Sequence, residues 1–168
     1  MFWCTVWGQD GGSWAHTQHD LADHHTYAYD LRGHGSTTVG GEAEGTLEQL
    51  GRDLVGFLEA VSGPAIVVGF SAGGTVVLWA AAERPDLVSG AIVLGTSSVV
   101  GGRAAAEFYT QRAGLAADTS SDEFRSAMRE DTVAGLVSAH DRVDELTELR
   151  LAAVGGGRRR LCERGPRD

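Results

Sequence analysis

The sequence contains no lysine and no asparagine, and its only isoleucines are Ile66 and Ile92. Alanine, glycine, valine and arginine dominate instead, a usage typical of GC-rich coding sequences that indicates a bacterial source. No apolar run reaches the roughly 18 residues that a membrane-spanning helix requires. Residues 1–10 carry neither a charged lead nor a long apolar stretch. We therefore expect no spanning helix and no signal peptide.

Basic residues are outnumbered by acidic ones, and the formal net charge is -9 at pH 7. This balance argues against nucleic acids and anionic membrane surfaces as partners. The two cysteines, Cys4 and Cys162, match no metal-binding or redox spacing. We expect free thiols in a reducing compartment, and hence a cytoplasmic protein. At 168 residues, the chain is long enough for one domain with a hydrophobic core.

Short apolar runs alternate with helical patterns up to residue 95. Strands linked by helices predict an α/β fold with parallel pairing through right-handed crossovers. The predicted strands are 2–6, 25–30, 65–69 and 90–95. The predicted helices are 13–23, capped by Ser13, then 46–62 and 72–83. We expect strands 65–69 and 90–95 to be buried, since both are continuously apolar.

The pattern changes after residue 102, where alanine and charged residues recur at helical spacing without a candidate strand. Three or four short helices are predicted over residues 103–153. The final stretch, GGGRRRLCERGPRD, has no apolar periodicity. The chain thus divides into an α/β unit over 1–100, a helical segment over 101–154 and an irregular tail over 155–168.

Residues 69–73 read Gly-Phe-Ser-Ala-Gly, a G-x-S-x-G motif between a predicted strand and a predicted helix. This is the context of a nucleophile elbow, a sharp turn that exposes a reactive hydroxyl. A side chain at Gly69 or Gly73 would collide with the neighbouring strand or helix. The helix start presents free N–H groups to a developing oxyanion, beginning with the amide of Ala72. The motif therefore predicts Ser71 as a nucleophile.

Several segments in register resemble the α/β hydrolase fold family over residues 3–100. They are VWGQDGGSW, YDLRGHG, GFSAGG and RPDLVSGAIVLGT, and they follow the order of the family. The resemblance implies a partial α/β hydrolase fold, with a mostly parallel sheet of about four strands, flanking helices and a helical cap segment. It also implies the order of the predicted strands across the sheet: 25–30, 2–6, 65–69 and 90–95. Residues 103–153 resemble the cap that many members insert over the pocket.

The resemblance also implies roles for individual residues. Ser71 would attack a carbonyl carbon, and the backbone amides of Gln9 and Ala72 would form the oxyanion hole. Trp7 stands where the family usually has histidine, a change that affects the geometry of this loop more than the chemistry. Three polar residues would brace the loop after the strand that precedes them: Asp30, Arg32 and His34.

The groups that must activate the serine are harder to find. In this fold an acid and then a histidine follow the nucleophile along the chain. The only histidine after Ser71 is His140, in a charged stretch that reads as a polar helix face, and His34 is a second weak candidate. No strand with an aspartate loop and no terminal Gly-His segment follows. We hypothesise a fragment of a longer hydrolase gene, begun late and interrupted near residue 155.

A metal site is a further possibility, because His16, His19 and Asp20 share one predicted helix face. We interpret this face as solvated and expect neither metal nor cofactor. The expected reaction is hydrolysis of a small ester, lactone or related acyl compound through a Ser71 acyl-enzyme. The alternatives are a cofactor-free haloperoxidase-like or thioesterase activity, a truncated and catalytically impaired chain, and a binding module. Unpaired sheet edges favour self-association.

Overall fold

Four parallel strands form one sheet in the spatial order β2-β1-β3-β4. They are β1 (Phe2–Cys4), β2 (Tyr27–Tyr29), β3 (Ala65–Phe70) and β4 (Val88–Leu94). This computed structural model describes residues 1–4, 9–39, 45–98, 102–135 and 140–155. The strand order and the parallel pairing confirm the prediction, because the intervening helices supply the crossovers that parallel neighbours need.

Three α-helices lie between the strands: α1 (Ala15–Asp20), α2 (Leu47–Phe57) and α3 (Ala72–Glu83). The predicted capping residue of α2 is confirmed, since the Thr46 hydroxyl accepts from the Gln49 amide at 3.2 Å. The Gln49 side chain accepts from the Gly45 amide, at 3.0 Å. Helix α2 continues as a π-helical turn, Leu58–Ser62, and ends at Gly63, whose φ is +64°. The predicted stop before Pro64 is therefore also correct.

The hydrophobic core lies between β3 and the helices α2 and α3. Leu54 and Leu58 from the α2 region and Val76 and Val77 from α3 are all at most 1% exposed. They pack with Val67 of β3 in one cluster. This packing fixes α3 against the sheet and so fixes the β3–α3 connection, which carries the candidate site.

Some local predictions were wrong. Asp10, not Ser13, caps the first helical segment, because its carboxylate accepts from the Gly12 amide at 2.9 Å. The segment begins with a 3₁₀ turn (Gly11–Trp14), and α1 ends at Asp20. Strand 25–30 shortens to Tyr27–Tyr29.

The predicted burial of β4 was also wrong. Ile92 and Leu94 are 46% and 45% exposed, and the partner recorded for β4 among the described residues is β3 alone. In β3, Val67 and Val68 are buried as expected, but Ile66 and Phe70 near its two ends are exposed. An apolar sequence indicates that a strand can be buried, but it does not show whether another strand or helix packs against it.

The later part of the chain forms three further helices: α4 (Arg103–Leu115), α5 (Asp122–Gly135) and α6 (Val143–Gly155). Phe124 and Met128 of α5 are buried, and Arg112 of α4 binds Asp131 of α5 at 2.9 Å. The amide of Gly35, after β2, donates to the carbonyl of Ala153 in α6 at 3.1 Å. The helices are as predicted. Their role as a cap, and the division into domains, stay predictions. Most of the predicted tail, 156–168, lies outside the described residues.

No helix within the described ranges combines the length and the apolar character needed to cross a membrane.

Candidate active site

The turn between β3 and α3 holds Ser71 in an uncommon backbone conformation. Its φ is +51° and its ψ is -120°, and no other non-glycine residue in the described ranges has a positive φ. Residues with a Cβ avoid this region, and such strain persists only where the surroundings impose it. The Ser71 amide donates to the carbonyl of Leu94 at the end of β4, at 2.8 Å. Ser71 as a whole is half-buried.

Glycine at position 69 is required by a close backbone approach. A Cβ there would lie 2.5 Å from the carbonyl oxygen of Gly73 and 2.6 Å from the Cα of Gly74. Both atoms belong to the main chain of the first turn of α3, so they cannot rotate away. This contact agrees with the collision expected at Gly69 from the sequence. Gly73 itself is buried.

The two expected oxyanion donors lie on different segments. Ala72 is the first residue of α3, where helix geometry leaves amides without intrahelical acceptors. Gln9 is half-buried. The end of β1 lies beside the elbow, because Cys4 pairs with Gly69. Residues 5–8, which include Trp7, lie outside the described residues. The pairing of Gln9 and Ala72 as an oxyanion hole therefore stays a prediction.

The loop after β2 is held by the polar residues that the sequence indicated. Asp30 accepts from the Gly11 amide at 2.6 Å and from the Ser36 amide at 3.0 Å. Arg32 forms a bidentate pair with Asp53, with distances of 2.7 and 2.6 Å. The bracing role predicted for Asp30 and Arg32 is confirmed by these contacts. Asp30 thus joins the Gly11 turn after β1 to the loop after β2.

His34 lies in the same loop and is largely buried. Burial lowers the pKa of its imidazole below the ordinary value, and the Arg32 carbonyl and the charge of Asp30 oppose this shift only in part. Its Nδ1 is 3.2 Å from the Arg32 carbonyl oxygen, so the neutral ring donates there. Its Nε2 is buried, and no hydrogen-bond partner for it is found in the described part of the chain. His34 thus presents an unpartnered acceptor nitrogen in a polar loop.

The other histidines considered from the sequence are exposed. His140 begins a 3₁₀ turn, His140–Arg142, before α6. His16 and His19 are exposed on α1, and His19 Nδ1 lies 3.6 Å from the carboxylate of Asp20. No cluster of three potential metal ligands occurs within the described residues. In the same part of the chain, no histidine hydrogen-bonds to the Ser71 hydroxyl.

Two contacts at the elbow escaped the sequence analysis. The Thr96 hydroxyl lies 2.8 Å from the carbonyl oxygen of Ser71, and a Cβ at Gly74 would collide with the Thr96 side chain. One signal was available in the sequence. Thr96 follows the strand predicted next to β3, and the carboxyl ends of parallel neighbours lie at the same edge of a sheet.

The comparison with protein families agrees with this geometry. The sequence model described as "alpha/beta hydrolase fold" matches residues 4–145. A serine at a sharp turn between a strand of an α/β sheet and the following helix is a feature of that fold. The chain therefore belongs to the α/β hydrolase fold family.

Solved structures with the same fold include several hydrolases. A hydrolase from Pseudomonas aeruginosa PA01 is 24% identical, with a TM-score of 0.71, over 90% of this chain and 58% of that one. An enol-lactonase from Burkholderia xenovorans LB400 is 23% identical, with a TM-score of 0.72, over 91% and 57%. A thermophilic esterase from Thermogutta terrifontis is 22% identical, with a TM-score of 0.73, over 93% and 59%.

These similarities establish the fold alone. The chain spans less than two thirds of the length of the solved structures it resembles, 57% to 59% in these three cases. No protein with a curated description matches the sequence significantly.

Proposed function

We propose that the protein is a serine acyl hydrolase that acts on a small ester or lactone through a covalent Ser71 intermediate. The observation that carries the proposal is the positive φ of Ser71 between β3 and α3. An unfavourable conformation at a serine that begins a helix is typical of a nucleophile elbow, in which strain exposes the hydroxyl. The esterase and enol-lactonase among the similar structures support the same class of substrate.

In the proposed reaction, the Ser71 hydroxyl oxygen attacks the carbonyl carbon of the substrate while a base removes its proton. The negative charge that develops on the carbonyl oxygen is stabilised by the amides of Ala72 and Gln9. Collapse of this intermediate breaks the bond to the alkoxide and leaves an acyl-Ser71 ester, and the protonated base returns the Ser71 proton to the departing alkoxide oxygen. Water then hydrolyses that ester and regenerates the serine. The proposed steps use no cofactor. Helices α4–α6 are proposed to form a cap over the bound substrate.

A second candidate is an elbow whose serine is not activated. It is favoured by the exposure of His140, the only histidine that follows Ser71 in the sequence. It is favoured also by the burial of His34 in its own loop, with Nδ1 directed to the Arg32 carbonyl. Such a chain would bind an acyl compound and turn it over slowly, because an oxyanion hole alone retains a small part of the catalytic power.

Hydrolysis of p-nitrophenyl butyrate and of γ-butyrolactone separates the two candidates. An activated serine gives turnover well above the buffer rate, with a burst of p-nitrophenol equal to the enzyme concentration when deacylation is slow. Ser71→Ala is expected to abolish this turnover. The exposed Ser89 lies near the amino end of β4, at the opposite edge of the sheet from the elbow, and provides a matched control. Ser89→Ala should leave the rate unchanged. Hydrolysis by the folded wild-type protein at the rate of Ser71→Ala would refute the proposal and favour the second candidate.

A further inference from the structure

Thr96 connects the end of β4 to the elbow. Its hydroxyl oxygen lies 2.8 Å from the Ser71 carbonyl oxygen and 3.1 Å from the Leu94 carbonyl oxygen. A threonine hydroxyl has a single proton to donate, so the shorter contact identifies Ser71 as the principal acceptor. Thr96 is half-buried at this position. The interaction joins residues that are 25 positions apart in the chain, so it ties two separate segments together.

The peptide groups on both sides of Ser71 are held by the same strand end. The Ser71 amide donates to the Leu94 carbonyl at 2.8 Å. The Ser71 carbonyl accepts from the amides of Gly74 and Thr75, at 3.0 and 3.3 Å, as well as from Thr96. The two amides belong to α3 and continue the helix. The contacts with Leu94 and Thr96 come instead from the last residue of β4 and from the segment that follows it, so they link the turn to a different part of the chain.

The Thr96 side chain also fits the surface of the helix start. A Cβ at Gly74 would collide with its hydroxyl and would lie 2.8 Å from its Cβ and 2.9 Å from its Cγ2. Glycine at position 74 thus leaves the space that Thr96 occupies. The side chain is fixed by packing as well as by its hydrogen bond, which limits the positions available to the Ser71 carbonyl.

From these contacts we infer that Thr96 is a positioning residue, which holds Ser71 in its positive-φ conformation and so keeps the nucleophile aimed at the substrate. A strained residue stays strained only if its surroundings prevent relaxation. Leu94 fixes the amide side of Ser71, and Thr96 fixes the carbonyl side. The positioning part stands on the contacts alone, whereas the effect on reactivity rests on the proposed function.

Thr96→Val tests the inference, because valine keeps the shape of threonine and removes the hydroxyl. The first readout is amide hydrogen exchange by NMR at Gly74 and Thr75, whose amides share the Ser71 carbonyl. We expect exchange to accelerate about threefold to tenfold, as the loss of one hydrogen bond predicts. Exchange at Ala80, deeper in α3, should not change. Thr96→Ser, which retains a hydroxyl, should restore slow exchange.

The second readout is the rate at which a fluorophosphonate labels Ser71. We expect Thr96→Val to slow labelling about tenfold or more, and Thr96→Ser to label at close to the wild-type rate. The matched control is Thr46→Ala, which removes a threonine hydroxyl that accepts from the Gln49 amide at 3.2 Å at the start of α2. This control should label normally even where its thermal unfolding midpoint falls as far as that of Thr96→Val. Thr96→Ala provides a second hydroxyl-free variant should the valine variant not fold.

The outcomes separate this inference from the proposed function. Unchanged exchange at Gly74 and Thr75 in both hydroxyl-free variants would overturn the positioning role. Faster exchange together with wild-type labelling would reduce Thr96 to a stabilising residue and overturn its effect on the nucleophile. Should the wild-type protein not label, the proposed function fails and the effect on reactivity fails with it. The exchange experiment then still decides the positioning role.

Discussion

Replacement of Gly69 by alanine tests the geometry of the elbow directly. The added Cβ would lie 2.5 Å from the carbonyl oxygen of Gly73, 2.6 Å from its carbonyl carbon and 2.6 Å from the Cα of Gly74. Real Cβ atoms do not approach other atoms so closely, so either β3 or the start of α3 must move. Both are main-chain segments fixed by the sheet and by the buried face of α3, and the strain has no flexible side chain into which it can relax.

The magnitude follows from the nature of this overlap. One extra carbon forced into a close-packed site destabilises a protein by about 1–3 kcal/mol. In a chain of this size, each kcal/mol lowers the unfolding midpoint by about 2–4 °C. Gly69→Ala should therefore melt about 2–12 °C below the wild-type protein when followed by circular dichroism. Since the displacement falls on the turn that carries Ser71, labelling of the folded variant by a fluorophosphonate should slow as well.

Gly56 offers a matched control with the opposite expected sign. It lies in α2, is exposed, and a Cβ there would meet no atom within 4 Å. Alanine is favoured over glycine within a helix by about 1 kcal/mol, so Gly56→Ala should raise the midpoint by about 2–4 °C. The close approach at Gly69 would be refuted if Gly69→Ala melted at or above the wild-type temperature, or if both substitutions shifted the midpoint in the same direction.

Three further substitutions test the loop and helix contacts by thermal and denaturant unfolding. Asp30→Asn replaces a carboxylate that accepts hydrogen bonds from the Gly11 amide and from a neighbouring serine, so it should lower the free energy of unfolding by about 1.5–3 kcal/mol. An unchanged free energy of unfolding would contradict the bracing role. Burial holds the pKa of His34 in the folded protein below 6.5. As the pH falls, His34 is therefore protonated in the unfolded chain before it is protonated in the folded protein, and the free energy of unfolding should decrease below about pH 6.5. His34→Gln should reduce this fall, whereas His140→Gln at an exposed site should not; equal pH profiles for all three proteins would exclude the effect. Thr46→Ala removes the capping hydroxyl of α2 and should lower the free energy of unfolding by about 1 kcal/mol. An unchanged thermal unfolding midpoint would contradict this expectation.

The part of the fold that carries the site was predictable because its signals are local. An apolar run, a G-x-S-x-G turn and a second apolar run identified β3 and α3, and α3 begins and ends at the predicted residues, Ala72 and Glu83. Parallel pairing followed from the same pattern, since strands that alternate with helices are joined by crossovers. The strand order came instead from the resemblance to the α/β hydrolase fold. The Thr46 cap was likewise encoded within four residues of sequence.

Contacts between distant segments were not predictable in the same way. Thr96 contacts Ser71 only because β4 ends beside the elbow. A single sequence does not determine the register between β3 and β4 that places it there. The cap of the first helical segment shifted from Ser13 to Asp10, because both residue types favour that position and the chain geometry chose between them. The exposure of Ile92 on β4 depends on what covers the strand, which apolar composition does not specify.

The proposed function requires Ser71 to be an activated nucleophile at the turn between β3 and α3. Intact-mass and peptide mass spectrometry of the folded protein, after brief exposure to a fluorophosphonate, tests this claim most directly. We predict a single adduct on the peptide that contains Ser71, and none on Ser71→Ala. An unmodified folded protein, or an adduct on a different serine, would contradict it.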